Sequence, residues 1–163
     1  MEKLWRTWRM EYIETAREQE GGCIFCDLPL GQREETMVLK DTGIAFVVMN
    51  LYPYNPGHLM VAPRRHTADL ESLASEEMAE VGRLLQEAVG ALKAAMAPEG
   101  FNIGMNLGRA AGAGVPGHLH WHVVPRWNGD SNFMPVLGET RVLPELVEQT
   151  FKKLRPGFRD VHH

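Results

Sequence analysis

The segment His118-Leu119-His120-Trp121-His122 places three of the chain's seven histidines at every second position. Along an extended strand, side chains alternate between faces, so these three imidazoles point one way, spaced by roughly 6–7 Å. Leu119, Trp121 and Val123 then point the other way, towards a core. Such a row of imidazoles suits two chemistries. One is a metal site, because neutral imidazole is a common zinc ligand. The other is phosphate-ester chemistry, in which one ring attacks phosphorus while its neighbours orient it and hold the oxygens. A histidine titrating near ~6.5 is partly a free nucleophile at neutral pH. The preceding loop Arg109–Gly117, RAAGAGVPG, is made of small residues whose backbone N–H groups can come close to an anion. A glycine loop opening straight into co-facial histidines favours the phosphate reading. A catalytic zinc held by the triad ranks below it, since that reading needs a general-base carboxylate near the strand and gives the loop no work.

The only cysteines form Cys23-Ile24-Phe25-Cys26. In a reducing compartment one CxxC reads as a metal half-site or a redox pair rather than a structural disulfide. Arg64, Arg65 and Arg126 could attract a polyphosphate, or form an ordinary solvated basic patch. Net charge is −4, with 44% apolar and 23% charged residues, and no long basic stripe argues for a nucleic-acid partner. No window of eighteen or more apolar residues suggests a membrane span, and the N-terminal MEKLWRTWRMEYIE does not resemble a signal peptide. A cytoplasmic location is the default expectation.

These residues need elements to hold them. Residues 3–18 could form a short helix, ended by Gly21 and Gly22, and DLPLGQREE follows as a loop. Strands are expected at Thr36–Lys40, Gly43–Asn50, His58–Arg64, Phe101–Gly108 and from His118 to Trp127. Ser75–Met96 is the strongest helix. Ser75 is its expected N-cap, and Met78, Val81, Leu85, Leu92 and Met96 form its apolar stripe. Gly82 and Gly90 within it could mark close packing against a sheet. Leu143–Leu154 is an amphipathic terminal helix. The pattern predicts one α+β domain over residues 1–163, with a five-stranded antiparallel sheet.

His118-Leu119-His120-Trp121-His122-Val123-Val124 resembles the His-φ-His-φ-His-φ-φ motif of the histidine triad superfamily, φ being apolar. NPGHLMVAPRRH, Asn55–His66, and GFNIGMNLGRAAG resemble two further segments of that family in the same order, over about residues 23–127. The flanks LWRTWRMEYI and PRWNGDSNFM are similar to a bacterial branch that includes diadenosine tetraphosphate phosphorylases. Many members carry a glutamine four residues before the first triad histidine. This chain has Gly114 there, which again resembles the phosphorylase branch.

The resemblance implies a HIT-like fold and a nucleotide-processing activity through a nucleotidyl-histidine. A hydrolase or phosphoramidase would use the same residues, and a binding protein with little turnover would keep the same pocket. It implies His120 as nucleophile, His122 on phosphate oxygens, and His118 and His58 beside them. It also implies Asn50 on ribose hydroxyls, and Asn106, Ala113 and Gly114 around phosphate. Without the resemblance, His58 could cap a turn, and Asn50 and Asn106 could be ordinary turn or loop residues. Met49 and the Ile44–Val48 strand could wall a base pocket or simply pack the core. Relatives imply a structural zinc on Cys23, Cys26, His66 and His118, against the alternative of free thiols and a solvent-facing His66. Inorganic phosphate as acceptor and a homodimer or higher oligomer are also implied, with Asn132 and Phe133 reaching a partner subunit. His162 and His163 read as a disordered end.

Overall fold

The computed structural model describes residues 22–130 and 145–158. The expectations for residues 3–18, Asn132, Phe133, His162 and His163 lie outside the described residues. Five strands form one antiparallel sheet: β1 (Val38–Asp41), β2 (Ala45–Met49), β3 (Leu59–Pro63), β4 (Gly100–Met105) and β5 (Trp121–Arg126), in the order β1-β2-β3-β5-β4. Short helices α1 (Ile24–Asp27) and α2 (Arg33–Thr36), with a 3-10 turn at Leu28–Leu30, occupy much of the segment expected to be loop. Pro29 in the first turn and the charged run of α2 suit such single-turn helices.

The long helix α3 runs Ser75–Met96, as its periodicity predicts. Ser75 is not its cap. Ala74 takes that position, and its N–H is satisfied by the Glu77 carboxylate at 2.8 Å. The buried stripe is Val81, Leu84, Ala88, Ala91 and Leu92, which recurs at three and four residues. Met78, expected in the stripe, is exposed. Space around Gly82 and Gly90 is open, with no atom within 4 Å of an added Cβ, so neither glycine marks close packing.

The α3 stripe covers one face of the sheet. Ala45, Val47 and Met49 of β2, Leu59 and Val61 of β3, and Leu119, Trp121 and Val123 make the core beneath it. Helix α4 (Val147–Leu154) adds Phe151 and Leu154, and Phe158 follows from a 3-10 turn. The opposite face carries a smaller cluster: Phe25, Val38, Phe46, Val48 and Ala62. Met49 therefore packs into the helix-covered core, while alternation puts Phe46 and Val48 of β2 on the other side.

Gly57 is where the backbone most needs glycine. It holds φ of +81°, and an added Cβ would lie 2.9 Å from both Leu92 Cδ2 and Met96 Sδ of α3. Only a residue without a side chain lets the β2–β3 loop turn against the helix and deliver His58.

Candidate functional site

β5 begins at Trp121, three residues later than the alternation suggests. His118 and His120 lie in the segment leading into it, and only His122 sits in the ladder, opposite Met60 of β3 and Gly104 of β4. The alternation of faces persists regardless: Leu119, Trp121 and Val123 enter the helix-covered core, while the imidazoles gather on the other side. The ladder starts late because the Leu119 N–H is donated to the Thr67 carbonyl at 2.8 Å, in the loop after β3.

Each ring has a tautomer dictated by its partners, since a carbonyl only accepts and a backbone N–H only donates. His118 Nε2–H donates to the Pro63 carbonyl at 2.8 Å, so its Nδ1 carries the lone pair. His120 Nδ1–H donates to the His118 carbonyl at 2.8 Å, so its Nε2 carries the lone pair. His58 Nδ1 accepts the Tyr54 N–H at 3.1 Å, which leaves His58 Nε2–H to donate to His122 Nδ1 at 2.9 Å. His122 is then a donor at Nε2. The cluster thus presents a nitrogen lone pair on His120 and an N–H on its neighbour.

The site is dry. His58, His118 and His120 are all buried. Burial lowers the His118 and His120 imidazoles below their ordinary value, and holds His122 down to about 4, with the His120 charge as a second cause. All three are held neutral, the form that a nucleophile or a metal ligand requires.

Cys23, Cys26, His66 and His118 converge as the sequence predicts. Their donor atoms all lie within 4.8 Å of one another. His118 Nδ1 is 3.3 Å from Cys23 Sγ and 3.7 Å from Cys26 Sγ, and His66 Nδ1 is 3.4 Å from Cys26 Sγ. Burial, and then the Cys23 thiol beside it, push the Cys26 thiol up to about 11. Two sulfurs and two imidazole nitrogens at these separations suit a tetrahedral metal, which would bind the thiolates. The Pro63 bond to His118 Nε2 supplies the outer contact that fixes a ligating imidazole. Because His118 turns its lone pair to the thiols, the triad does not act as one three-histidine ligand set.

Asn50 joins the His58 end. Its Oδ1 accepts the Tyr52 N–H at 2.9 Å and its Nδ2 lies 3.3 Å from His58 Nδ1. The glycine loop makes a 3-10 turn at Arg109–Ala111, with Gly112 at φ +90°. Ala113 N–H donates to the Gly108 carbonyl at 3.2 Å, so it shapes the loop. Asn106 lies under that loop, its Nδ2 4.0 Å from where a Gly112 Cβ would be. Gly114 is exposed at its tip. Arg65 is paired with Glu77 and Arg126 with Asp130, while Arg64 Nη1 lies 3.6 Å from Asp41.

Two aromatic residues at the site escape the sequence reading. Phe25 stacks on His120 with centroids 4.7 Å apart, and Tyr54 stacks on His58 at 4.9 Å. Phe25's position between the two cysteines was the available signal; Tyr54 offered only its place four residues before His58.

Residues 31–129 match the HIT domain family. The chain is 40% identical over 161 residues to an AP-4-A phosphorylase of Mycobacterium tuberculosis, covering 94% of this chain and 83% of the relative. It is 30% identical over 106 residues to an adenosine 5'-monophosphoramidase of Schizosaccharomyces pombe, covering 65% and 75% of the two chains. A zinc-bound histidine triad family protein of Mycobacterium smegmatis superposes with a TM-score of 0.67 at 28% identity, over 84% of this chain and 93% of that one. With its five-stranded sheet, its co-facial histidines and this span of matched sequence, the chain belongs to the HIT domain family.

Proposed function

We propose that this protein is a dinucleoside polyphosphate phosphorylase working through a nucleotidyl-histidine. The observation that carries the reading is the fixed tautomer of His120: its Nδ1–H is tied to the His118 carbonyl, and its Nε2 lone pair stands beside the His58–His122 pair. The substrate class draws support from the 40% identity to an AP-4-A phosphorylase.

In the first step His120 Nε2 attacks the α-phosphorus. A P–N bond forms, and the P–O bond to the rest of the polyphosphate breaks. His122 Nε2–H donates to a phosphate oxygen as charge develops there, and His58 holds His122 in the donating tautomer. Asn50 faces the ribose, while Asn106 and the loop at Ala113 and Gly114 border the phosphates. In the second step an oxygen of inorganic phosphate attacks the phosphorus, the P–N bond breaks, and a nucleoside diphosphate leaves. Diadenosine tetraphosphate would yield ATP and then ADP.

Cys23, Cys26, His66 and His118 would hold a structural zinc, supported by their donor set and spacing and by the zinc-bound relative. That ion would supply a closed four-coordinate cross-link. The working unit is a homodimer or higher oligomer, and the reaction is placed in the cytoplasm.

Incubation with diadenosine tetraphosphate, with and without inorganic phosphate, tests the acceptor. Phosphate-dependent ADP is expected. AMP formed equally well without phosphate would make the protein a hydrolase, and no turnover on any nucleotide, phosphoramidates included, would make it a binding protein. His120→Ala should abolish turnover while nucleotide binding persists; full activity in that variant would sink the nucleophile assignment.

A further inference from the structure

We propose that Phe25 is a positioning residue for the nucleophile, through which the cysteine turn sets the His120 ring; this rests on the reading of His120 given above. Cys23 and Cys26 belong to a single helical turn. The Cys23 carbonyl accepts the N–H groups of Cys26 at 2.9 Å and Asp27 at 3.1 Å, with Cys23 as the N-cap of α1. Phe25 lies inside that turn and is 3% exposed. Its ring meets His120 at 4.7 Å and an interplanar angle of 26°, and meets His118 at 5.4 Å and 48°. Behind it Phe46 of β2 closes the contact at 6.4 Å.

The hydrogen bond to the His118 carbonyl pins one edge of the His120 imidazole. A single bond leaves the ring able to tilt about the line joining Cβ and Nδ1, and such a tilt swings Nε2 away from a fixed phosphorus. The flat Phe25 face removes that freedom. On the other side His122 meets His120 edge-on, at 5.1 Å and 76°. The nucleophile is therefore held by one edge bond and two ring contacts, and one of those contacts is carried on the turn that also carries two thiols of the metal-ligand cluster. In-line attack depends on the aim of the attacking atom, and small displacements of it are costly in rate. Occupancy of the cluster would so bear on the reaction through the stiffness of the turn that presents Phe25.

Phe25→Leu keeps an apolar side chain and removes the flat face. Phe25→Met, unbranched and able to fill an irregular gap, guards against a packing defect peculiar to leucine. Both variants are compared with the wild-type protein for zinc content, thermal melting, steady-state kinetics and histidine 15N spectra recorded without substrate. The expected result is full zinc content and melting close to wild type, with kcat lowered about tenfold and KM changed less than about threefold. The wild-type spectrum should show His120 as a single Nδ1-protonated tautomer; both variants should keep that tautomer, because a tilt leaves the bond to the His118 carbonyl in place, but their His120 Nε2 resonance should shift and broaden. Phe25→Tyr, which keeps a ring face, should restore kcat towards wild type.

Wild-type kcat with zinc bound overturns the proposal. A rise in KM alone overturns it too, since Phe25 would then merely line the substrate site. Zinc loss in both variants assigns Phe25 to the integrity of the turn and equally overturns the separate role. The spectra are read without substrate, so they stand apart from the nucleophile assignment, which the His120→Ala variant tests separately.

Discussion

His118 and His122 flank the same ring, share its face, and are the same residue type, yet the two ends of the triad are held by different means. His118 is 1% exposed and turns Nδ1 towards two thiols. His122 is partly open, accepts a 2.9 Å bond from His58 and meets the His120 ring edge-on. The His118 end is a knot of donors from three distant parts of the chain. The His122 end is a relay from one short loop, in which Tyr54 and Asn50 both point N–H groups at His58. One end is tied to several distant segments, and the other presents an N–H whose place is set by one loop. Damage at the first should appear mainly as lost stability, and damage at the second mainly as lost rate.

The largest effect expected is at the relay. His122→Ala should lower kcat by about 10²–10³-fold, the usual cost of removing one donor to a developing anionic oxygen, with nucleotide binding largely retained. A drop below tenfold would erase the contrast between the ends. Cys23→Ser should empty the metal cluster and lower the melting temperature by roughly 5–10 °C, with activity measured well below the melt falling no more than about tenfold. Unchanged zinc content in that variant would refute the ligand set.

Asp130 sharpens the comparison from a distance. Its carboxylate accepts from Arg126 Nε at 2.6 Å and from Asn55 Nδ2 at 2.8 Å, and so fastens the loop that carries His58 to the end of β5. The Arg126 guanidinium holds that carboxyl well below the usual range. Asp130→Ala should reduce kcat several-fold through His58 while leaving zinc content at the wild-type level. Equal losses of metal and rate would show that the two ends are not separable.

A pH series reads the relay directly. His122 has its folded pKa depressed from 6.5 to about 4, first by burial and then by the His120 charge. The neutral form is favoured on folding, so its contribution to stability is present above about pH 6.5 and is lost as pH falls through 4. Thermal melts from pH 7 to pH 4 should fall more steeply in the wild type than in His122→Asn; parallel curves would remove His122 as a cause. Smallest of all, Gly90→Ala should stabilise α3 by about 0.5–1 kcal/mol without touching either end, because its surroundings are open. Denaturant titration checks this.

The comparison also marks what the sequence could reveal. Period-two histidines tell which side chains share a face, because alternation is a property of any extended chain. They do not tell where the ladder begins: Leu119 spends its N–H on Thr67, a pairing fixed by the path of a loop. Helix α3 was legible to the residue, yet its stripe was misplaced at Met78, since a first-turn apolar residue can overhang the sheet edge. The four-residue cluster was legible through the resemblance to relatives, since the CxxC alone marks only half of such a site. Phe25 was not, because a phenylalanine between two cysteines reads as core until a ring is seen against it. The tautomers, which carry the chemical argument, depend on carbonyls and backbone N–H groups that every residue type possesses.

The cysteine turn and His118 are 95 residues apart in the chain where they touch at Cys23. The set of four donors is complete only once the segment leading into β5 has docked, so a metal held there would gain its last ligand late in folding. Closing a loop of that length removes much of the freedom of the unfolded chain, and such a clasp would thereby act as a lock fastened late.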